Sequence, residues 1–136
     1  MNNIEQTLSI IKPDAVERNL SEEIKNEFKK NGFEIKNEKK IQLSKSDAEQ
    51  FYKVHETKPF YNDLCEYLSS GPIVVMIIEK NDAIIDNRKL MGATDPKKAD
   101  EGTLRKKYGI SIDKNSVHGS DSLENAKIEI DFFFKD

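Results

Sequence analysis

The 136-residue chain has one cysteine, Cys65, two histidines, His55 and His118, and no tryptophan. A single cysteine excludes an internal disulfide and a cysteine-built metal site. Neither histidine stands in an HExxH run, and no carboxylate cluster surrounds either in sequence, which argues against zinc. Long apolar runs are missing too. The longest is Ile73–Ile78, far short of the roughly 20 residues that span a bilayer. The opening residues lack a basic region followed by a long apolar core, so no secretory signal is expected and the cytosol is the default location. Nor does one sign of charge dominate. Lys and Arg number 22 against 25 Asp and Glu, a net charge of −3. That balance argues against a broad nucleic-acid footprint and leaves room for a local basic pocket. No GxxxxGK[ST] segment occurs, so any nucleotide site here works without that phosphate-cradling loop.

What the chain does have is charge, at 35 %, and just enough apolar residue, at 36 %, for one core with a heavily solvated surface. Its length suits one domain, residues 1–136. Thr7–Ile11 reads as a strand that Pro13 ends. Leu20, Ile24 and Phe28 recur every four residues, predicting a helix from Ser21 to Asn31 with Gly32 just beyond its end. Phe33, Ile35, Ile41 and Leu43 share one parity, as one face of a half-buried strand would. Ser44 and Asp47 have cap-like spacing, and Ala48, Phe51, Tyr52 and His55 then line one helical face. Phe60, Tyr61, Leu64, Cys65 and Leu68 form a second helical stripe. Ile73–Ile78 reads as a central strand, Asp82–Leu90 as a helix, and a last helix starts near Ser122. Met91–Val117 has little periodicity, and so long an irregular stretch in so small a domain points to a working loop. The order suggests an α+β fold, a small antiparallel sheet covered by helices, with a ferredoxin-like core and extra helices as the economical reading.

Chemistry concentrates in Asn115-Ser116-Val117-His118-Gly119-Ser120-Asp121-Ser122. His118 sits between a short apolar segment and a helix start, Gly119 permits close backbone approach, and Ser120 with the following N–H groups suits an anion. Such a histidine serves as nucleophile or base. The same residues equally suit an ordinary turn that caps the last helix. Only three of the basic residues are arginine, Arg18, Arg88 and Arg105. Arg88 and Arg105 flank the irregular stretch, with Thr94 between them, and two guanidiniums can grip phosphate oxygens in pairs. As lone residues they also read as solvated surface arginines. Lys12 follows a strand end. Tyr52 and Phe60 fit their helical stripes as core, and Glu129 in the last helix reads as solvated or half-buried.

Taken together, these residues resemble the nucleoside diphosphate kinase family over about Ile4–Phe134. The sharpest match is the run around His118, which is similar to the family's N-x-x-H-G-S-D-S signature. Thr7-Leu8-Ser9-Ile10-Ile11-Lys12-Pro13-Asp14-Ala15-Val16 with Arg18, Lys58-Pro59-Phe60, Ser70-Gly71-Pro72, Met91-Gly92-Ala93-Thr94-Asp95-Pro96 and Gly102-Thr103-Leu104-Arg105 follow the family's order. The resemblance implies a ferredoxin-like βαββαβ core with a four-stranded antiparallel sheet covered by helices, and transfer of the terminal phosphoryl from a nucleoside triphosphate to a nucleoside diphosphate, with His118 carrying it between two half-reactions. It implies phosphate contacts from Arg88, Thr94 and Arg105, with Tyr52 and His55 nearby. It implies ribose and phosphate contacts from Lys12 and Asn115, and Phe60 under the base with Leu64 and Ile112 around it. Ser120 and Glu129 match the pair that orients the histidine, and Gly119 the close-approach glycine. Mg2+ held mainly by the nucleotide phosphates, broad base and sugar tolerance, and a homo-oligomer (tetramer or hexamer built from dimers) are implied as well. Ser21-Glu22-Glu23, Lys80 and Glu101 depart from the family where glycine, glycine and proline are common. A histidine phosphatase would need a further acid or base beyond Glu129. A ferredoxin-like regulatory or nucleic-acid module would have little use for Lys12, Arg88, Arg105 and His118 together.

Overall fold

The computed structural model describes residues 3–112 and 114–134. Four strands, β1 (Ile4–Ile11), β2 (Glu34–Ile41), β3 (Ile73–Asn81) and β4 (Val117–Gly119), form one sheet in the order β2-β3-β1-β4. Every neighbouring pair is antiparallel. Helices α1 (Pro13–Glu17) and α2 (Ser21–Lys30) connect β1 to β2. The hairpin of α3 (Lys45–Phe51) and α4 (Tyr61–Leu68) connects β2 to β3, α5 (Ala83–Met91) and α6 (Leu104–Tyr108) precede β4, and α7 (Leu123–Phe134) follows it. This is the ferredoxin-like α+β arrangement with an inserted helical hairpin. Among the described residues no helix is long and apolar enough to cross a membrane.

Alternation along the strands divides the core into two layers. Leu8 and Ile10 of β1 and Ile73 and Val75 of β3 pack with Ala48, Cys65, Leu68 and Phe133 from α3, α4 and α7. Ile11, Val74, Met76, Ile78 and Val117 pack on the other face with Ile24, Phe28, Met91 and Leu104 from α2, α5 and α6. Covering both faces explains the unbroken apolar run of β3, since no position of a central strand is left to solvent. α1 begins with Pro13 at its first turn, where the missing N–H would have had no partner. α2 runs to Lys30 and Gly32 follows at φ +87°.

Three expectations need correction. Phe33, Ile35, Ile41 and Leu43 do not share a face. A bulge between Ile35 and Asn37 inserts one residue in β2, and one residue flips every later side chain. Phe33 and Ile35 therefore pack with the α2 layer, and Ile41 and Leu43 with the α3–α4 layer. The helix after Ser44 stops at Phe51, and His55 lies in a separate 3-10 turn, Lys53–His55. The 92–116 stretch is more ordered than its periodicity suggests. It holds a 3-10 turn at Pro96–Lys98, capped by Asp95, and α6, capped by Thr103. Segments under two turns long have no repeat to read.

Candidate active site

β4 is a three-residue edge strand whose His118 pairs with Ile10 of β1. The histidine side chain thereby faces the α3–α7 layer. There its Nε2 lies 3.0 Å from Glu129 Oε1. Ser120 Oγ donates to the same oxygen at 2.8 Å and accepts the Leu8 N–H at 3.3 Å. Phe51 sets its ring edge-on to the imidazole, with centroids 5.4 Å apart. A carboxylate only accepts, so Nε2 carries the proton and Nδ1 keeps the lone pair. Gly119 leaves no space for a side chain. A Cβ there would stand 2.2 Å from Asn87 Nδ2 and 2.8 Å from Met91 Cε, so helix α5 lies directly against the strand that carries His118.

Cations gather beside this strand. Arg105 donates from Nη1 to the Gly92 carbonyl and from Nη2 to the Val117 carbonyl, both at 3.0 Å. Burial first, and the neighbouring Arg88 charge second, pull its guanidinium down to about 10. A buried cation next to another cation favours an anion between them. Arg88, Met91, Gly92, Thr94 and Arg105 line a cavity of about 370 Å³. A larger hollow, about 550 Å³, is lined by Pro13, Arg18, Tyr67 and Lys114, and neither histidine lines either cavity. The smaller cavity is the one where the guanidiniums converge. Lys12, nearly buried at the end of β1, donates from Nζ to Asn115 Oδ1 at 2.9 Å, and Asn115 Nδ2 donates to the Thr94 carbonyl at 3.2 Å. Lys12, Thr94 and Asn115 are thus one linked group.

The aromatic residues form a row. Ring centroids of Phe51 and Tyr52 are 5.1 Å apart, those of Tyr52 and His55 6.2 Å, and those of His55 and Phe60 5.9 Å. Burial, with smaller contributions from Cys65 and Glu129, pushes the Tyr52 hydroxyl up, so it stays protonated. His55 Nδ1 is buried without a hydrogen-bond partner among the described residues. Phe60 is exposed at the open end of the row. Leu64 packs on the α3–α4 core, while Ile112 stands 56 % exposed on the loop after α6. Sequence reasoning assigned no site role to Phe51 or to the carbonyls of Gly92 and Val117. In the sequence Phe51 shows only as part of a helical stripe. A main-chain acceptor leaves no side-chain pattern to find.

A ferredoxin-like sheet whose edge strand offers a carboxylate-held imidazole, beside a half-buried Arg105 and an exposed Arg88, defines a protein built to move phosphoryl groups. The family model described as nucleoside diphosphate kinase matches residues 5–136. A nucleoside diphosphate kinase of Wolinella succinogenes is 58 % identical over 131 residues, 96 % of each chain. One of Campylobacter jejuni is 58 % identical over 132 residues, 97 % of this chain and 96 % of the relative. Among solved structures, the nucleoside diphosphate kinase of Aquifex aeolicus superposes with a TM-score of 0.95 at 39 % identity, covering 97 % of this chain and 96 % of that one. That of Encephalitozoon cuniculi gives 0.93 at 36 %, covering 97 % and 90 %. The chain belongs to the nucleoside diphosphate kinase family. It is an enzyme, a phosphotransferase acting on nucleotides.

Proposed function

We propose that the enzyme moves the γ-phosphoryl of a nucleoside triphosphate to a nucleoside diphosphate in two half-reactions through a phosphohistidine at His118. The observation that carries this reading is the 3.0 Å contact of Glu129 with Nε2, which leaves Nδ1 as the nucleophile. As the Nδ1–P bond forms, the bond from the γ-phosphorus to the bridging oxygen breaks and the diphosphate leaves. No proton has to leave the attacking nitrogen. The growing positive charge on the ring is stabilised by Glu129, which Ser120 holds in place. Arg88, Arg105 and Lys12 take the negative charge passed to the leaving diphosphate, and such preorganised charge is the main contribution a protein makes to phosphoryl transfer. The second half-reaction runs the same steps backwards onto a new diphosphate in the same place, so one pocket serves both nucleotides.

Thr94 and Asn115 keep Lys12 directed at the phosphate chain and ribose. Tyr52 and His55 border the phosphates, Gly119 lets α5 approach the reacting strand, and Phe60, with Leu64 and Ile112, offers apolar surface to any base. Apolar contact separates bases by area alone, so discrimination among them is weak. Mg2+ fits as a companion of the nucleotide. Among the described residues no three His, Cys, Asp or Glu side chains cluster to hold a metal, and the Glu129 carboxylate is engaged by His118 and Ser120. When bound, the ion screens the phosphate charge that Arg88, Arg105 and Lys12 do not. The reading includes a single domain, a cytoplasmic location and a homo-oligomer, tetramer or hexamer, built from dimers. The β2 edge of the sheet and the exposed apolar Ile128 and Phe132 of α7 support a covered surface.

The test is incubation with γ-labelled nucleoside triphosphate. Label should stay on the protein, map to His118 Nδ1, and leave on addition of any nucleoside diphosphate. His118→Asn should take none. Label on His55, or hydrolysis with no labelled protein, would sink the reading. Light scattering at micromolar concentration tests the assembly, since a mass near 15.6 kDa contradicts it.

A further inference from the structure

Asp14 is a charged residue that the reaction described above does not use, and it is almost fully buried, with 4 % exposure. It lies in the first turn of α1. Its Oδ2 accepts from Ser116 Oγ at 2.7 Å and from Arg18 Nη2 at 3.1 Å. Its Oδ1 accepts from the Tyr67 hydroxyl of α4, and its own N–H donates back to that hydroxyl oxygen at 2.9 Å. Burial, and then the hydrogen bond to Asp14, push the Tyr67 hydroxyl up, so it remains a donor. Arg18 adds Nε to the Asp14 carbonyl at 3.0 Å and Nη2 to the Tyr108 carbonyl at the end of α6. One carboxylate thus joins α1, α4 and the loop that precedes β4.

One of the residues it grips is under strain. Ser116 is fully buried at φ +74°, a left-handed conformation that side chains other than glycine disfavour. Something must hold it there. Ser116 also accepts the Lys12 N–H on its carbonyl at 2.8 Å, and the residue before it, Asn115, accepts Lys12 Nζ. The Ser116 turn therefore sets how Lys12 and Asn115 meet. His118, two residues further on, is held by other contacts, to Glu129, to Phe51 and along β1.

We propose that Asp14 is a positioning residue for nucleotide binding: its buried carboxylate, fastened by Tyr67 and Arg18, locks the Ser116 turn and with it the Lys12–Asn115 pair. This rests on the functional reading above, in which Lys12 and Asn115 meet ribose and phosphate. Its signature is selective. Loosening the hub weakens nucleotide binding more than it slows the chemistry of bound nucleotide, because Lys12 alone of the reacting groups feels it, while the imidazole is fixed by Glu129 and Phe51 and Arg105 by the Gly92 and Val117 carbonyls.

The experiment compares Asp14→Asn, Tyr67→Phe and Ser116→Ala with wild type. Phe28→Leu, a core change in α2, serves as a control for simple destabilisation. Two quantities are read on protein shown to be folded by circular dichroism. One is the equilibrium Kd for a nucleoside diphosphate by calorimetry. The other is the rate of phosphoryl-enzyme formation against donor concentration. Asp14→Asn should raise Kd and half-saturating donor about tenfold and change the limiting rate less than about threefold. Tyr67→Phe and Ser116→Ala should show smaller shifts of the same kind, and Phe28→Leu should lower Tm alone. If Asp14→Asn does not fold, the two milder variants decide. Unchanged Kd in every folded variant, or a fall in limiting rate with Kd unchanged, overturns the proposal. A wild type that binds diphosphate but takes no label fails the phosphohistidine reading, while the Kd ratios still decide on Asp14. A wild type that does neither removes both.

Discussion

At the scale of single residues, Arg105 is the most constrained member of the site. Its two terminal nitrogens are fixed by the Gly92 and Val117 carbonyls, so its remaining donors have a set direction. A lysine has one nitrogen and cannot meet both carbonyls and a phosphate. Arg105→Ala and Arg88→Ala should each lower kcat/KM about 10²-fold, roughly 3 kcal/mol of transition-state stabilisation, and Arg105→Lys should recover little of it. Steady-state rates within about threefold of wild type would remove the arginines from the reaction. Gly119 makes a different kind of demand. Its missing side chain is filled by the ends of the Asn87 and Met91 side chains, both buried, so Gly119→Ala forces those side chains to repack. Overpacking of this sort costs about 1–3 kcal/mol. Adding Asn87→Ala removes the nearest atom, at 2.2 Å, and should restore part of the loss in urea unfolding. A double variant as unstable as the sum of the singles would mean that the clash is not with Asn87.

At the scale of elements, the parts legible in the sequence are those whose burial is periodic over several turns or residues. β1, β3, α2 and α4 fall where their apolar spacing places them, because each buries a regular stripe. β2 was legible as a strand and illegible in its register, since a bulge at one residue sends Ile35 and Ile41 to opposite faces while their numbering keeps the same parity. The site was legible as residue types through the motif around His118 and the flanking arginines. Its assembly was not, because Glu129 meets His118 from a different element, α7, and Arg105 is held by main-chain oxygens. The departures from the family have local explanations. Lys80 pairs with Asp86 of α5 at 2.6 Å, and Glu22 and Glu23 stand in the first turn of α2, where the helix dipole favours acidic groups. Ser44 accepts the Asp47 N–H at 3.0 Å and caps α3. Ser44→Ala should therefore cost about 1 kcal/mol of stability in denaturant titration and leave kcat unchanged. Glu27 on α2 pairs with Lys107 on α6 at 2.9 Å, and the hydrogen bond from Lys107 lowers its carboxyl from the usual value. A lowered acid favours the fold above its unfolded value of about 4.3 and loses that contribution as pH falls through the folded value. The stability gap between wild type and Glu27→Gln should close below that range, and a gap that widens on acidification would contradict the pairing.

At the scale of the whole molecule, the site works against the fold that carries it. Arg105 is half-buried beside Arg88, and its guanidinium is held down to about 10 by burial first and by that neighbour second. The sign follows from linkage. A cation whose folded value is lowered is bound more tightly to its proton when unfolded, so the shift counts against folding at neutral pH and is relieved only as pH rises through about 10. A polyphosphate placed against both arginines and Lys12 relieves it at neutral pH instead, by supplying the missing opposite charge. Ligand that binds only the folded state at 100 times its Kd adds about 2.7 kcal/mol. For a chain of this length that amounts to a rise in Tm of roughly 10 °C, at about 4 °C per kcal/mol. Differential scanning calorimetry at fixed protein concentration and constant Mg2+ should show this rise with ADP, GDP, CDP or UDP alike, since in the proposed reading the base meets only apolar surface at Phe60. At the same concentration a monophosphate should move Tm far less, because it brings fewer charges to the arginines and its phosphate stops short of His118 once the base lies on Phe60. Arg88→Ala should lose most of the diphosphate shift, and Phe60→Ala should weaken it for every base together. Equal shifts from monophosphate and diphosphate, or a full diphosphate shift in Arg88→Ala, would place the binding energy elsewhere than on the cations beside β4.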